Sequence, residues 1–217
     1  MNTKPILYSF WRSSCSWRAR IALALKGIDY EYRSVDYFKD ENHSPEYLSV
    51  NPAGLVPCLV HGGNSFSESL AIIEYLDEKF PTSRKLLPEK PEDRAKVRAL
   101  AYMIISNIFP TQTLRVMNYY CGGVRGEKAD QWGHHFMDTG FEAFERMLVK
   151  TAGKFAFGDN LTMADICIPP QVFIARLYSV DISKFPTIER IDKTLMELPE
   201  FQTTHPTKQI DTPATIA

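Results

Sequence analysis

The side chains best suited to chemistry gather early in the chain. Ser13-Ser14-Cys15-Ser16-Trp17-Arg18 falls where a short apolar run, Pro5 to Phe10, gives way to an Ala- and Leu-rich run that stops at Gly27. A helix start exposes unpaired N–H groups and the positive end of the helix dipole, so it attracts anions, thiolates included. Arg12 and Arg18 add positive charge to the same stretch, while Arg20, deeper in the helix, reads as structural. A single capping serine with the others facing water accounts for the block equally well. Glu68-Ser69 opens a later helix and makes a second anion-receiving end. A serine for a carboxylate and a glutamate for an ammonium group would suit an amino-acid head; an ordinary cap beside an exposed Glu is the plainer reading. Val56-Pro57 is the third feature. Proline cannot donate to a sheet ladder, and the pattern alone fits a trans proline at a strand edge. A cis bond there would instead present the Val56 backbone to a ligand lying alongside the sheet.

The elements that must position these groups follow from periodicity and punctuation. Ile6 to Phe10 suits a buried strand, Trp17 to Lys26 a helix, and Tyr30 to Val35 a second strand. Ser44-Pro45-Glu46 opens a short helix, with the serine as cap and the proline in the first turn. Val56 to Val60 and Asn64 to Phe66 flank Gly62-Gly63, a hairpin signal, and a helix runs from Ser69 towards Phe80. Strand, helix, strand, short helix, hairpin and helix together give a small mixed sheet with helices packed on it. Residues 81–90 are polar and proline-bearing and read as a linker. Everything beyond reads as helical, over Pro91 to about Cys121, Lys128 to Thr151, Thr162 to Val180 and Pro186 to Leu198. Phe136, Phe141, Phe144, Met147 and Leu148 repeat at helical steps. Thr162-Met163-Ala164-Asp165 is a capping box with a folding role. The tail from His205 reads as extended and mobile.

Composition narrows the function. The 217 residues are 44% hydrophobic and 24% charged, too apolar for a disordered chain. Lys plus Arg is 25 against 26 for Asp plus Glu, and this near-neutral balance argues against nucleic-acid or membrane-surface binding. No run approaches the ~18 apolar residues of a membrane span. The start lacks the pattern of a signal peptide. The four cysteines, Cys15, Cys58, Cys121 and Cys167, lie far apart without C-x-x-C spacing, which speaks against a zinc site or a disulfide framework. A reduced, cytoplasmic globular protein is the expectation. His134 and His135 adjoin, so they are not i, i+4 metal partners, and His43, in a loop, reads as a surface residue in preference to one lining a cleft.

The block Ser13 to Leu23, with Ala19 where valine is usual, resembles the signature of the zeta class of the glutathione transferase superfamily. Asn51-Pro52, Val56-Pro57 and the run Glu68 to Leu76 resemble its glutathione-site elements, and Gly158 to Asp165 its folding motif. The resemblance implies an α/β plus all-α architecture. A thioredoxin-like domain (βαβ-ββα) spans residues 1–82, a linker 83–90, and an all-helical domain 91–217 that contributes the substrate pocket. It implies glutathione as coenzyme, with Ser14 and Cys15 as the catalytic pair at its sulfur and Ser13 beside them. The Val56 backbone, with Pro57 cis, would meet its cysteinyl unit; Glu68 and Ser69 its γ-glutamyl end; Asn42 its glycyl end. Arg12, Arg115 and, third, Arg176 are the cations expected to hold a small dicarboxylate substrate.

The implied reaction is the cis–trans isomerisation of maleylacetoacetate to fumarylacetoacetate, in tyrosine and phenylalanine catabolism, by a homodimer. Maleylpyruvate isomerisation and glutathione transfer to α-haloacids are the alternatives within the class. A non-catalytic binding module and a redox role for Cys15 are the readings outside it. The sequence departs from the class pattern at Phe109, where Gln or His is usual, at Thr113 in place of Asn, and at Leu177 in place of Arg.

Overall fold

The computed structural model describes residues 4–81 and 83–215. Its elements divide into two compact units, Met1–Leu86 with Pro199–Ala217, and Leu87–Leu198. This differs from the sequence expectation of 1–82, 83–90 and 91–217. The C-terminal stretch, counted there with the helical domain, packs with the N-terminal one, and the expected boundary at Thr82 lies outside the described residues.

The first unit is built on four short strands, β1 (Ile6–Ser9), β2 (Glu31–Ser34), β3 (Cys58–His61) and β4 (Asn64–Ser67), in the order β2-β1-β3-β4. β1 runs parallel to β2 and antiparallel to β3, and β3 antiparallel to β4. Helix α1 (Ser14–Leu25) joins β1 to β2, α2 (Pro45–Val50) precedes β3, and α3 (Ser69–Lys79) follows β4. This is the thioredoxin-like arrangement. Gly62 and Gly63, at φ 59° and 79°, make the two-residue hairpin turn that β-branched residues could not adopt. Pro57 sits just before β3, a central strand, so its missing N–H costs no ladder bond.

Almost every side chain of α1 is buried, which its small residues Ala19, Ala22 and Ala24 permit. Its end is fixed by Lys26, whose Nζ reaches Asp77 Oδ1 at 2.6 Å and the carbonyls of Phe80 and Arg84. The short helix α9 (Pro199–Thr203) belongs to this unit, with Phe201 fully buried. The tail beyond it is not a loose extended segment. Pro206–Lys208 forms a 3-10 turn, and the Asp211 carboxylate accepts from the Trp11 N–H (2.9 Å), the Tyr32 hydroxyl (2.7 Å) and the Ser34 hydroxyl (3.1 Å).

The second unit is helical: α4 (Pro91–Tyr102), α5 (Leu114–Cys121), α6 (Glu127–Leu148), α7 (Met163–Leu177) and α8 (Pro186–Met196). The single helix expected over Pro91 to Cys121 is broken. A π-helical run, Met103–Ile108, and a 3-10 run, Phe109–Gln112, separate α4 from α5. Pro110, which has no N–H and clashes with the preceding turn, accounts for the break. In α6 the buried face is Met137, Phe141, Phe144 and Leu148, with Phe136 and Met147 half-buried beside it. Gly140 lets this helix close on Ile108: a Cβ there would lie 2.6 Å from the isoleucine side chain. The capping box at the start of α7 forms as expected. Among the described residues no helix is long and apolar enough to cross a membrane.

Candidate active site

At the start of α1 the three serines divide their work. Ser13 is the N-cap, and its Oγ accepts the Ser16 N–H at 3.1 Å. Ser16 is fully buried and its Oγ accepts the Phe10 N–H at 3.4 Å. Ser14 is the first helical residue, 7% exposed, and its hydroxyl is not consumed by capping. It therefore stands at the positive end of the helix dipole, where negative charge is favoured.

Arg18, fully buried, ties this turn to the start of α3. Its Nη2 donates to Cys15 Sγ at 2.7 Å and its Nε to Ser69 Oγ at 3.0 Å. From the sequence, Arg18 is legible only as a positive charge. The spacing of Cys15 and Arg18, three residues apart on one helix face, was the signal for the first contact; Ser69, 51 residues on, carried no such signal. Burial pushes the Cys15 thiol above its ordinary pKa; the Arg18 guanidinium works against this, and Glu68 adds to it. Cys15 is thus held as a neutral thiol at neutral pH.

Ser69 is 4% exposed and opens α3. Because Arg18 donates to its oxygen, the serine's own proton is left for another acceptor. Glu68, exposed, adopts φ 66° and ψ 117°, a left-handed conformation unusual for a non-glycine residue. Such strain costs about 1–3 kcal/mol and collects at ligand-binding positions.

The Val56–Pro57 bond is cis, as the resemblance implies and against the reading of the strand pattern alone. The loop before it is densely tied. Leu55 O accepts from the Tyr47 hydroxyl (2.6 Å) and Asn51 Nδ2 (2.7 Å), and Gly54 O accepts from Asn42 Nδ2 (3.1 Å). Asn42, 4% exposed, therefore braces the loop that carries Val56. Val56 itself, 7% exposed, donates its N–H to the Tyr37 hydroxyl at 3.1 Å, a partner the sequence reading did not foresee.

Arg12 lies half-buried in the turn before Ser13. All these groups belong to the first unit. The other two expected cations belong to the second. Arg115 is exposed in the first turn of α5, and Arg176 Nη2 lies 2.8 Å from Oδ2 of Asp192, whose side chain is only 3% exposed. Arg20, fully buried, is structural: it donates to Ser9 Oγ and to the carbonyls of Phe10, Trp11 and Thr204.

Residues 7–84 match the family model of the glutathione S-transferase N-terminal domain. The chain is 47% identical to maleylacetoacetate isomerase of Rattus norvegicus over 213 residues, 97% of this chain and 96% of that protein. It is 38% identical to a bacterial maleyl pyruvate isomerase, a zeta-class glutathione S-transferase solved in its holo form, with a TM-score of 0.89 over 96% of this chain and 100% of the other. It also superposes on maleylacetoacetate isomerase from Anaeromyxobacter dehalogenans 2CP-1, solved with dicarboxyethyl glutathione and citrate in the active site. There the TM-score is 0.86 and the identity 36%, over 98% of this chain and 100% of that one.

Proposed function

The chain belongs to the zeta class of the glutathione S-transferase family, and on that premise we propose that it catalyses the glutathione-dependent isomerisation of maleylacetoacetate to fumarylacetoacetate. The observation that carries this reading is the bridge made by buried Arg18 between Cys15 and Ser69, which draws the starts of α1 and α3 into one polar cluster.

The donor set suits glutathione. Ser69, whose oxygen accepts from Arg18 and whose proton is left for an acceptor, takes the α-carboxylate of the γ-glutamyl group beside the start of α3. Glu68 offers the opposite charge for the α-ammonium. Val56 presents backbone groups beside the cis bond, and Asn42, through its bond to Gly54, keeps that edge in place at the glycyl end. Ser13 shapes the turn, and Ser14 and Cys15 face the sulfur.

When bound, glutathione supplies a thiolate that adds reversibly to the cis alkene, so that rotation about a single bond replaces rotation about a double one. The task left to the protein is to keep that sulfur ionised. A thiol of ordinary acidity must lose about two pKa units to be mostly charged at pH 7, about 2.7 kcal/mol. A hydrogen bond to a charged group contributes about 1.5–3 kcal/mol and a helix start about 0.3–1. Ser14, the first residue of α1, supplies both. Burial raises the Cys15 thiol above its ordinary pKa, so the activating role is assigned to Ser14. Arg12, in the adjoining turn, pairs with a substrate carboxylate and offsets the charge that develops on its carbonyl. The other two candidate cations, Arg115 and Arg176, belong to the second unit, where Arg176 is already paired with Asp192. Class membership also supports a cytoplasmic homodimer.

The likeness to a maleyl pyruvate isomerase makes maleylpyruvate the second diacid to try. The test is conversion of maleylacetoacetate with glutathione present at a small fraction of substrate. The expected result is complete conversion with glutathione recovered unchanged. Stoichiometric loss of glutathione would point to transfer instead, as on an α-haloacid, and no conversion by folded protein would reject the proposal.

A further inference from the structure

The amide that a bound tripeptide needs at the cis bond is already engaged. The Val56 N–H donates to Tyr37 Oη at 3.1 Å, and the same hydroxyl donates to Gly54 O at a longer 3.4 Å. We infer that the Tyr37 hydroxyl competes with glutathione for the Val56 N–H and so sets the affinity of the site. The inference rests on Val56 being the backbone partner of glutathione.

A bracing role for the hydroxyl is the rival explanation, and the surrounding bonds make it redundant. Gly54 O keeps Asn42 Nδ2 at 3.1 Å whether or not Tyr37 is present. Leu55 O has Tyr47 and Asn51, and Asn51 also accepts the Ala53 N–H through Oδ1 and the Gly54 N–H through its carbonyl. Tyr37 makes two bonds in this loop; Gly54 O has Asn42 as a second donor, so the shorter bond from the Val56 N–H is the one whose loss matters. Val56 precedes β3 and lies outside the sheet ladder, so no strand claims its amide.

The position of the ring also suits a group that can give way. Tyr37 stacks on Phe10, with ring centroids 5.5 Å apart and planes 27° from parallel, at the margin of the cluster formed by Phe10, Trp11, Val35, Tyr47, Val56 and Cys58. It stands on a three-residue 3-10 turn, Tyr37–Lys39, whose next residue, Phe38, is 68% exposed. Burial pushes the phenol up to about 12, so at neutral pH it stays protonated, a weaker acceptor than the peptide carbonyl that displaces it.

The test compares Tyr37→Phe with the wild-type protein, since the substitution removes one oxygen and keeps the stacked ring. Titration calorimetry with reduced glutathione should show roughly two- to tenfold tighter binding to the variant, the span of one hydrogen bond. In 15N-resolved spectra of the free proteins, the Val56 amide proton should move upfield in Tyr37→Phe. Glutathione should then bring the Val56 resonances of both proteins to a common position. Equal or weaker binding by the variant, with Val56 still shifting in both proteins, overturns the competition and leaves the glutathione site standing. Failure of glutathione to bind the wild-type protein, or binding that leaves Val56 unmoved, overturns the site reading and the inference together.

Discussion

Removing the hydroxyl of Ser14 should show what activates the sulfur. Ser14→Ala forfeits a hydrogen bond to a charged group, about 1.5–3 kcal/mol, which raises the thiol pKa of bound glutathione by about one to two units. The expected outcome is a roughly 10- to 100-fold fall in kcat/KM at pH 7 that shrinks as pH rises, because the acid limb of the profile has moved upward. Cys15→Ala should act elsewhere. Its thiol is held neutral and its sulfur helps anchor Arg18, which in turn holds Ser69. A few-fold rise in KM for glutathione with an unmoved acid limb is expected, and pH–rate profiles of the two variants check both. If Cys15→Ala moved the limb and Ser14→Ala did not, the assignment would be reversed. At this scale the sequence was legible wherever chemistry is local. It marked the block Ser13 to Arg18 but could not say that Ser13, rather than Ser14, is the cap, because either serine precedes the same apolar run. Tyr37 gave no signal, since its partner lies 19 residues away on a loop.

Helix and strand types came through the periodicity well, and the failures fall where one residue overrides a propensity. Pro110 converts an expected long helix into a π run, a 3-10 run and a new helix. The start of α7 was legible because its capping box is a local pattern, and it carries a consequence that the pattern does not show. Asp165, fully buried, accepts from the N–H groups of Ala156 and Thr162 and from the Thr162 hydroxyl. Burial outweighs those bonds and pushes its carboxyl up to about 6. A carboxyl whose pKa is higher folded than unfolded binds the extra proton in the folded state, so stability declines as pH rises from about 4 to about 6. That interval corresponds to roughly 3 kcal/mol. Asp165→Asn removes this titration; it also replaces one of the two accepting oxygens by a donor, which adds a cost that does not vary with pH. The stability of wild type minus that of the variant, from urea unfolding between pH 4 and 8, should fall across this window and level off above it. A difference independent of pH would show that Asp165 titrates as an ordinary carboxylate.

At the scale of the whole chain, the first unit is discontinuous, since Pro199–Ala217 returns to complete it. Composition could not announce this: beyond the buried Phe201 the tail is Thr- and Pro-bearing, and polar contacts with distant partners help to hold it. Thr204 accepts from Trp17 Nε1 through its hydroxyl and from Arg20 Nε through its carbonyl. Further along, Asp211 accepts the Trp11 N–H while Arg20 donates to the Trp11 carbonyl, so the residue just before Arg12 and Ser13 is gripped on both sides of its backbone. The turn that presents Ser14 is therefore set partly from the far end of the sequence. Asp211→Ala removes the acceptor for Trp11, Tyr32 and Ser34 together, and a cost of about 2–4 kcal/mol is expected after allowing for partial exposure and non-additivity. Hydrogen exchange should become faster at Trp11 and the neighbouring turn amides, with weaker glutathione binding to match. Asp211→Asn, which keeps one acceptor oxygen, should fall between the two. If exchange at Trp11 were unchanged in Asp211→Ala, the tail would merely cover the unit, and the turn would owe its shape to Arg20 and the Ser13 cap alone.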